Sequence, residues 1–274
     1  MKRIISGAIL VILISLLFVF SGYPLVVNFF VVLLSFLSSL EFFKSSGYIE
    51  NRLLFFLSSL FSATIPFLHL LPRFGYSLIV FAVFVFVVII TVALIVFYDK
   101  ESLEKICIAF SVSAIIPLFF STMIYARLLK NGLFYLIMIF IVSWATDTGG
   151  FVFGKMFGRH KMCPKISPNK TIEGAIGGFL FSTGGFLIFS FIVDTFTDNI
   201  SVNYFMVVLF AFIGSFFAIL GDLFASILKR NYNVKDFGYL IPGHGGILDR
   251  FDSVLFAAPA LFLLFEQYPL FKII

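Results

Sequence analysis

Apolar residues run along this chain in blocks of 16 to 23, separated by short polar stretches. Blocks of that length suit helices that cross the hydrocarbon core of a bilayer. Nine are predicted, at about 4–20, 25–43, 53–71, 76–98, 105–125, 131–146, 172–193, 203–223 with an extension to about 230, and 253–269. Ser21-Gly22-Tyr23-Pro24 divides the first two, and Pro72 closes the third. Pro117 falls inside the fifth, where neighbouring helices can satisfy the carbonyl it frees. No alternating ten-residue strands occur, which argues against a transmembrane barrel. The fold expected is all-α: a polytopic integral membrane protein with about nine transmembrane helices.

Composition agrees with this. The 274 residues are 61% hydrophobic and 12% charged, with 42 phenylalanines. Lys2 and Arg3 before Ile4–Phe20 resemble the start of a signal peptide, but no small-x-small cleavage pattern follows, so this run is expected to remain as the first span. Cys107 and Cys163 form no CxxC pair and suggest neither a disulfide nor a zinc site.

Charge placement orients the helices. With the N-terminus in the cytoplasm, the inner segments are 1–3, 44–52, 99–105, 147–171 and 224–252. They hold 15 of the 19 basic residues, a strong positive-inside bias. Both long polar loops, 147–171 and 224–252, then face the cytoplasm. Residues 1–130 read as scaffold helices and 131–274 as the catalytic region. No internal repeat of the secondary-transporter kind is evident.

The loop 147–171 carries Asp147, four glycines and the bases Lys155, Arg159, Lys161, Lys165 and Lys170. Ser167 or Asn169 is expected to cap a helix whose first turn includes Lys170 and Thr171. Free backbone amides beside lysines would suit a phosphate. The bland reading is a basic loop resting on anionic lipid headgroups. The glycines do not form a Walker loop.

The stretch Gly221–Ser253 is richer, with four aspartates, two lysines and two arginines between apolar runs. Ionisable residues at such a place are a functional hypothesis by default. On a helix Asp222, Ser226 and Lys229 share one face. Asp249 and Asp252 lie just before or within the first turn of the last helix. Carboxylates gathered from different helices suit magnesium, a hard ion that often keeps phosphates in its shell. Lys229, Arg230, Lys235 and Arg250 could neutralise a polyphosphate. His244, between glycines, suits either a loop-shaping role or a phosphate contact. Zinc is not indicated, since HExxH and cysteine clusters are missing. No nucleic-acid recognition module accompanies the basic residues. The residues alone thus indicate a membrane-embedded site, open to the cytoplasm, that handles phosphates with a divalent metal. They do not choose the nucleotide.

A longer pattern does. Ser226-x-Leu228-Lys229-Arg230, then Lys235-Asp236-x-Gly238, then Ile241-Pro242-x-His244-Gly245-Gly246-Ile247-x-Asp249-Arg250-Phe251-Asp252, resembles the signature of the phosphatidate cytidylyltransferases. Asp147-Thr148-x-Gly150 and Ser167-Pro168-x-Lys170-Thr171-x-Glu173-Gly174 resemble a second loop of that family. The resemblance implies transfer of a cytidylyl group from CTP to phosphatidic acid, with magnesium as cofactor. It implies Asp222, Lys229, Arg230, Asp249 and Arg250 as catalytic residues and Asp222, Asp249 and Asp252 as metal ligands. Ser226, Lys235, His244, Gly245, Gly246, Lys170, Ser167 and Asp147 become substrate-binding candidates. Expected partners are the two substrates and membrane lipid, without a nucleic-acid polymer, and a homodimer is compatible. The expected location is the inner (cytoplasmic) membrane, with the site facing the cytoplasm. Two other readings remain at this point: a CTP-dependent lipid kinase, which would pass on the γ-phosphate, and a transporter of phosphate ligands, which would not consume CTP.

Overall fold

The computed structural model describes residues 2–47, 52–71, 75–97, 102–197, 200–241, 243 and 245–273. Helices dominate them: α1 (Lys2–Phe20), α2 (Pro24–Ser46), α3 (Arg52–Leu68), α4 (Gly75–Val96), α5 (Leu103–Leu128) and α6 (Gly132–Phe157). The strands β1 (Lys161–Cys163) and β2 (Ser167–Thr171) follow, then α7 (Ile172–Phe196), β3 (Ile200–Val202), α8 (Tyr204–Asn231), α9 (Leu248–Gln267) and β4 (Phe271–Ile273). Both strand pairs, β1 with β2 and β3 with β4, are antiparallel. The architecture is all-α as expected, and the two short strand pairs are minor additions to it.

Among the described residues six helices are long and apolar enough to cross a membrane, namely α2, α4, α5, α6, α7 and α8. The protein is a polytopic helical membrane protein. The helix expected to end at 146 continues to Phe157, so the loop expected from 147 begins in fact after α6, and Asp147 and Lys155 are helical. The last helix starts at Leu248 rather than 253, which places Asp249 and Asp252 inside it. Asp222 lies within α8, which runs on to Asn231 in line with the expected extension to about 230.

Contacts divide the chain into two units. The first comprises residues 1–124 and 231–250. In it α2 begins with Pro24 in its first turn and ends at Gly47, whose φ of 58° is left-handed, a conformation glycine adopts without steric cost. Phe61 of α3 stacks on Phe86 of α4 with ring centroids 3.8 Å apart, and Ile65, Ile90 and Ile106 complete that core. Farther along, Phe42 of α2 meets the rings of Tyr232 and Phe237 in the returning segment.

The second unit comprises residues 125–230 and 251–274. Its centre is the seam of α6 and α7, where small residues let two backbones approach. A Cβ on Gly149 would lie 2.5 Å from the Gly177 carbonyl oxygen, and one on Gly174 would lie 2.7 Å from that of Gly150. Thr146 of α6 donates to Ser215 of α8 at 2.9 Å, and Ser182 of α7 bonds the same hydroxyl. Tyr135 stacks on Phe265, and its hydroxyl accepts from the Leu270 amide at 3.1 Å, which ties the end of the chain to α6.

Candidate functional site

Three helices of the second unit each contribute one carboxylate to a common neighbourhood: Asp147 from α6, Asp222 from α8 and Asp252 from α9. Gly221 makes this approach of α8 to α9 feasible, because a Cβ there would collide with the Asp252 carbonyl oxygen. Asp252 is 7% exposed and feels repulsion from both Asp222 and Asp147, offset in part by attraction to Lys229. Lys229 Nζ lies 3.9 Å from Asp252 Oδ2, and Lys170 Nζ lies 2.5 Å from Asp222 Oδ2. Ser253 links two of the acids. Its hydroxyl donates to Asp147 Oδ2 at 3.0 Å and its amide to Asp252 Oδ1 at 2.8 Å. Ser226, one turn beyond Asp222 on α8, is buried.

Lys170 arrives by a route the sequence reading did not foresee. Ser167–Thr171 form a strand, and Thr171 is the N-cap of α7, its hydroxyl accepting from the Gly174 amide at 3.0 Å. The expected cap at Ser167 or Asn169, and the expected place of Lys170 in the first helical turn, are thus corrected. A threonine with extended backbone satisfies one of the orphan amides of the helix start, and Lys170 precedes it on β2. Glu173, in the first turn of α7, accepts from the amides of Arg159 and His160 and faces His160 Nδ1 at 2.6 Å. It fastens the segment that follows α6 to the start of α7. Arg230 Nε donates to the Ile166 carbonyl at 3.3 Å and holds the β1–β2 turn against the end of α8.

The candidates of the first unit are arranged differently. Asp249 Oδ2 accepts from the Phe237 amide at 2.8 Å and the Gly246 amide at 3.0 Å. Gly243 and Gly245 have φ of 82° and 84°, and Ile241 pairs with Gly245, so the segment doubles back tightly. Arg250 Nε is buried without a hydrogen-bond partner among the described residues. Lys235, with Lys44, Asn233, Asp236 and Tyr239, lines a cavity of about 660 Å³. His244 lies outside the described residues.

Among the described residues no three His, Cys, Asp or Glu side chains gather closely enough to hold a metal ion as they stand. The donor chemistry of Asp147, Asp222 and Asp252 nonetheless fits magnesium. All the donors are hard carboxylate oxygens, their mutual repulsion favours a cation, and magnesium commonly takes only one or two carboxylates and completes its shell with water and phosphates. Two residues escaped the sequence reading. Ser253 had no signal of its own. Glu41 of α2 had one: an acid inside an apolar run.

Known proteins resemble this chain along most of its length. The model of the cytidylyltransferase family matches residues 1–268. A phosphatidate cytidylyltransferase of Staphylococcus haemolyticus is 47% identical over 138 residues, 50% of this chain and 51% of that protein. Phosphatidate cytidylyltransferases of Staphylococcus epidermidis and Staphylococcus aureus are 45% and 47% identical over 138 residues. The match spans about half the length of these curated relatives. With the family model extending over nearly all of its residues, this chain belongs to the cytidylyltransferase family.

Proposed function

We propose that this protein is a phosphatidate cytidylyltransferase. An oxygen of the phosphatidic acid phosphate attacks the α-phosphorus of CTP. The new P–O bond forms as the bond to the β-phosphate oxygen breaks, giving CDP-diacylglycerol and pyrophosphate. The observation that carries this reading is the juxtaposition of Asp147, Asp222 and Asp252 with the ammonium groups of Lys170 and Lys229. The relatives named above, matched over about half their length, support the choice of substrates.

The chemistry needs little proton transfer, because the phosphatidate nucleophile is already anionic at neutral pH. The barrier lies in bringing two anions together and in charge that builds on the α-phosphate. Preorganised cations lower both. Lys170 and Lys229 each face a carboxylate, so an arriving phosphate can take over part of an ion pair already in place. Arg230 keeps the β1–β2 turn, and with it the strand of Lys170, in position. Lys235 and Arg250 are proposed as further phosphate contacts. Magnesium, when bound, would neutralise charge on the nucleotide phosphates. Asp222 and Asp252 are the residues that would hold it, and Asp249 is proposed as a further ligand. Attack is direct and in line, without a covalent nucleotidyl enzyme.

Nine spans, a cytoplasmic N-terminus and a cytoplasm-facing site in the inner membrane belong to the same proposal, supported by the bias of basic residues toward one set of loops. Purified protein in mixed micelles should release pyrophosphate from CTP only when phosphatidic acid and magnesium are both present. Release that does not depend on phosphatidic acid would refute the proposed acceptor.

A further inference from the structure

Glu41 is the one acid of α2, and it is 3% exposed. Its carboxylate is packed against the returning segment of the first unit. A Cβ on Gly238 would collide with Oε1, and a Cβ on Gly246 would collide with Oε2. Oε2 accepts from the Leu248 amide at 3.0 Å, the first residue of α9 and 207 positions away in sequence. Oε1 is buried without a hydrogen-bond partner among the described residues. The described residues 237–241 and 245–249 are therefore folded round two carboxylates that face backbone amides. Glu41 reaches them from α2, and Asp249 reaches them from within.

Stability alone is a weak reason for this arrangement. Burying a carboxylate is costly, and a well-packed apolar side chain often stabilises as much or more. Phe42, the next residue, already packs its ring against Phe237 and Tyr232. What Glu41 adds is direction. It satisfies an amide of the α9 start that no residue of the helix can reach, and so fixes the rotation at which Asp249 and Arg250 leave the turn. The two glycines at its surface have no side chain that could push it away.

We propose that Glu41 is a positioning residue for cytidylyl transfer, acting through the backbone at Gly238 and Gly246–Leu248 on Asp249, Arg250 and the lysine-lined cavity wall that includes Lys235. The proposal rests on the activity proposed above. It also gives the helices before residue 130 a part in the reaction beyond anchoring.

The test compares Glu41→Leu, Glu41→Gln and Gly238→Ala in the purified full chain. Backbone hydrogen exchange, thermal midpoint and kinetics in mixed micelles are measured for each. Glu41→Leu should speed exchange in 237–248 by at least about tenfold while amides of the α6–α7 seam keep their wild-type rates. Its kcat/KM for CTP should fall at least about 30-fold, with a thermal midpoint within about 3 °C of wild type. Among the described residues only Oε2 accepts a bond, so Glu41→Gln should restore kcat/KM to within about threefold. Gly238→Ala presses on the same contact from the other side and should reproduce the Leu phenotype, which covers the case of a Leu variant that does not fold. Wild-type kinetics in both Leu and Ala variants would overturn the proposal, as would a Gln variant no better than Leu. If exchange changes as expected but wild-type protein consumes no CTP, the assigned reaction has failed and the contact has not.

Discussion

Carboxylates are held in two different ways in this molecule. In the second unit Asp222 and Asp252 face lysines, and Asp252 also faces other acids and the amide of its neighbour Ser253. In the first unit Glu41 and Asp249 face backbone amides. An amide is fixed by the fold and cannot leave its acceptor without unfolding the turn. A lysine ammonium sits on a flexible stem and can redirect one of its three donors to a phosphate. The lysine-facing acids are thus suited to exchanging partners during a reaction, and the amide-facing acids to holding a shape. Charge should matter most in the first group. In the second, the ability to accept a hydrogen bond should matter most, with Asp249 serving in both capacities.

The largest test of this contrast removes charge and keeps shape. Asp222→Asn and Asp252→Asn should each lower kcat by at least about 100-fold at limiting magnesium, because each weakens a site that stabilises developing charge. Asp249→Asn should do the same if Asp249 is a metal ligand as proposed. A loss of threefold or less there would confine Asp249 to the amide-facing group. Steady-state kinetics over a magnesium series separate weaker metal binding from lost turnover.

Lys170→Gln comes next. It should lower kcat/KM for phosphatidic acid by at least about tenfold, roughly the 1.4 kcal/mol of one lost charge-assisted contact. The variant should insert and fold normally, since the neighbouring lysines preserve the basic loop. An effect on the CTP dependence alone would assign Lys170 to the nucleotide phosphates, which its contact with Asp222 also suits. A change below twofold in both would make it a membrane anchor.

Two smaller effects probe the scaffold. Gly221→Ala puts a methyl group against the Asp252 carbonyl and should destabilise the protein by about 1–3 kcal/mol, the usual result of overpacking. Thermal melts in detergent check this, and an unchanged midpoint would show that α8 and α9 need no close approach at that level. Thr171→Ala removes the cap of α7 and should cost about 1 kcal/mol. Thr171→Ser, which keeps the oxygen, should recover most of it.

The same contrast explains what the sequence revealed. Asp222, Ser226 and Lys229 were legible as one face because helical period alone aligns them. Thr171 was harder, since a strand led into α7 where helix was expected. The end of α6 was misplaced for a physical reason. Gly149, Gly150, Gly154 and Gly158 resemble a flexible loop in sequence, yet Gly149, Gly154 and Gly158 sit where a Cβ would press on α7 or its cap. Asp222 and Asp252 were paired by the family resemblance, but the arrival of Asp147 beside them needed tertiary structure, because residues so far apart share no local pattern. Glu41 was hidden most deeply. Nothing beside it in the chain indicates the turn it supports, and its partner amide lies in the signature segment itself.

The central claim, cytidylyl transfer, is tested most directly by isotope tracing. Purified wild-type protein in phosphatidic acid micelles, with magnesium, is given CTP labelled at either the α- or the γ-phosphate. The account predicts α-label in the lipid product and γ-label in pyrophosphate. Label from the γ-position in the lipid, or CTP left intact, would contradict it.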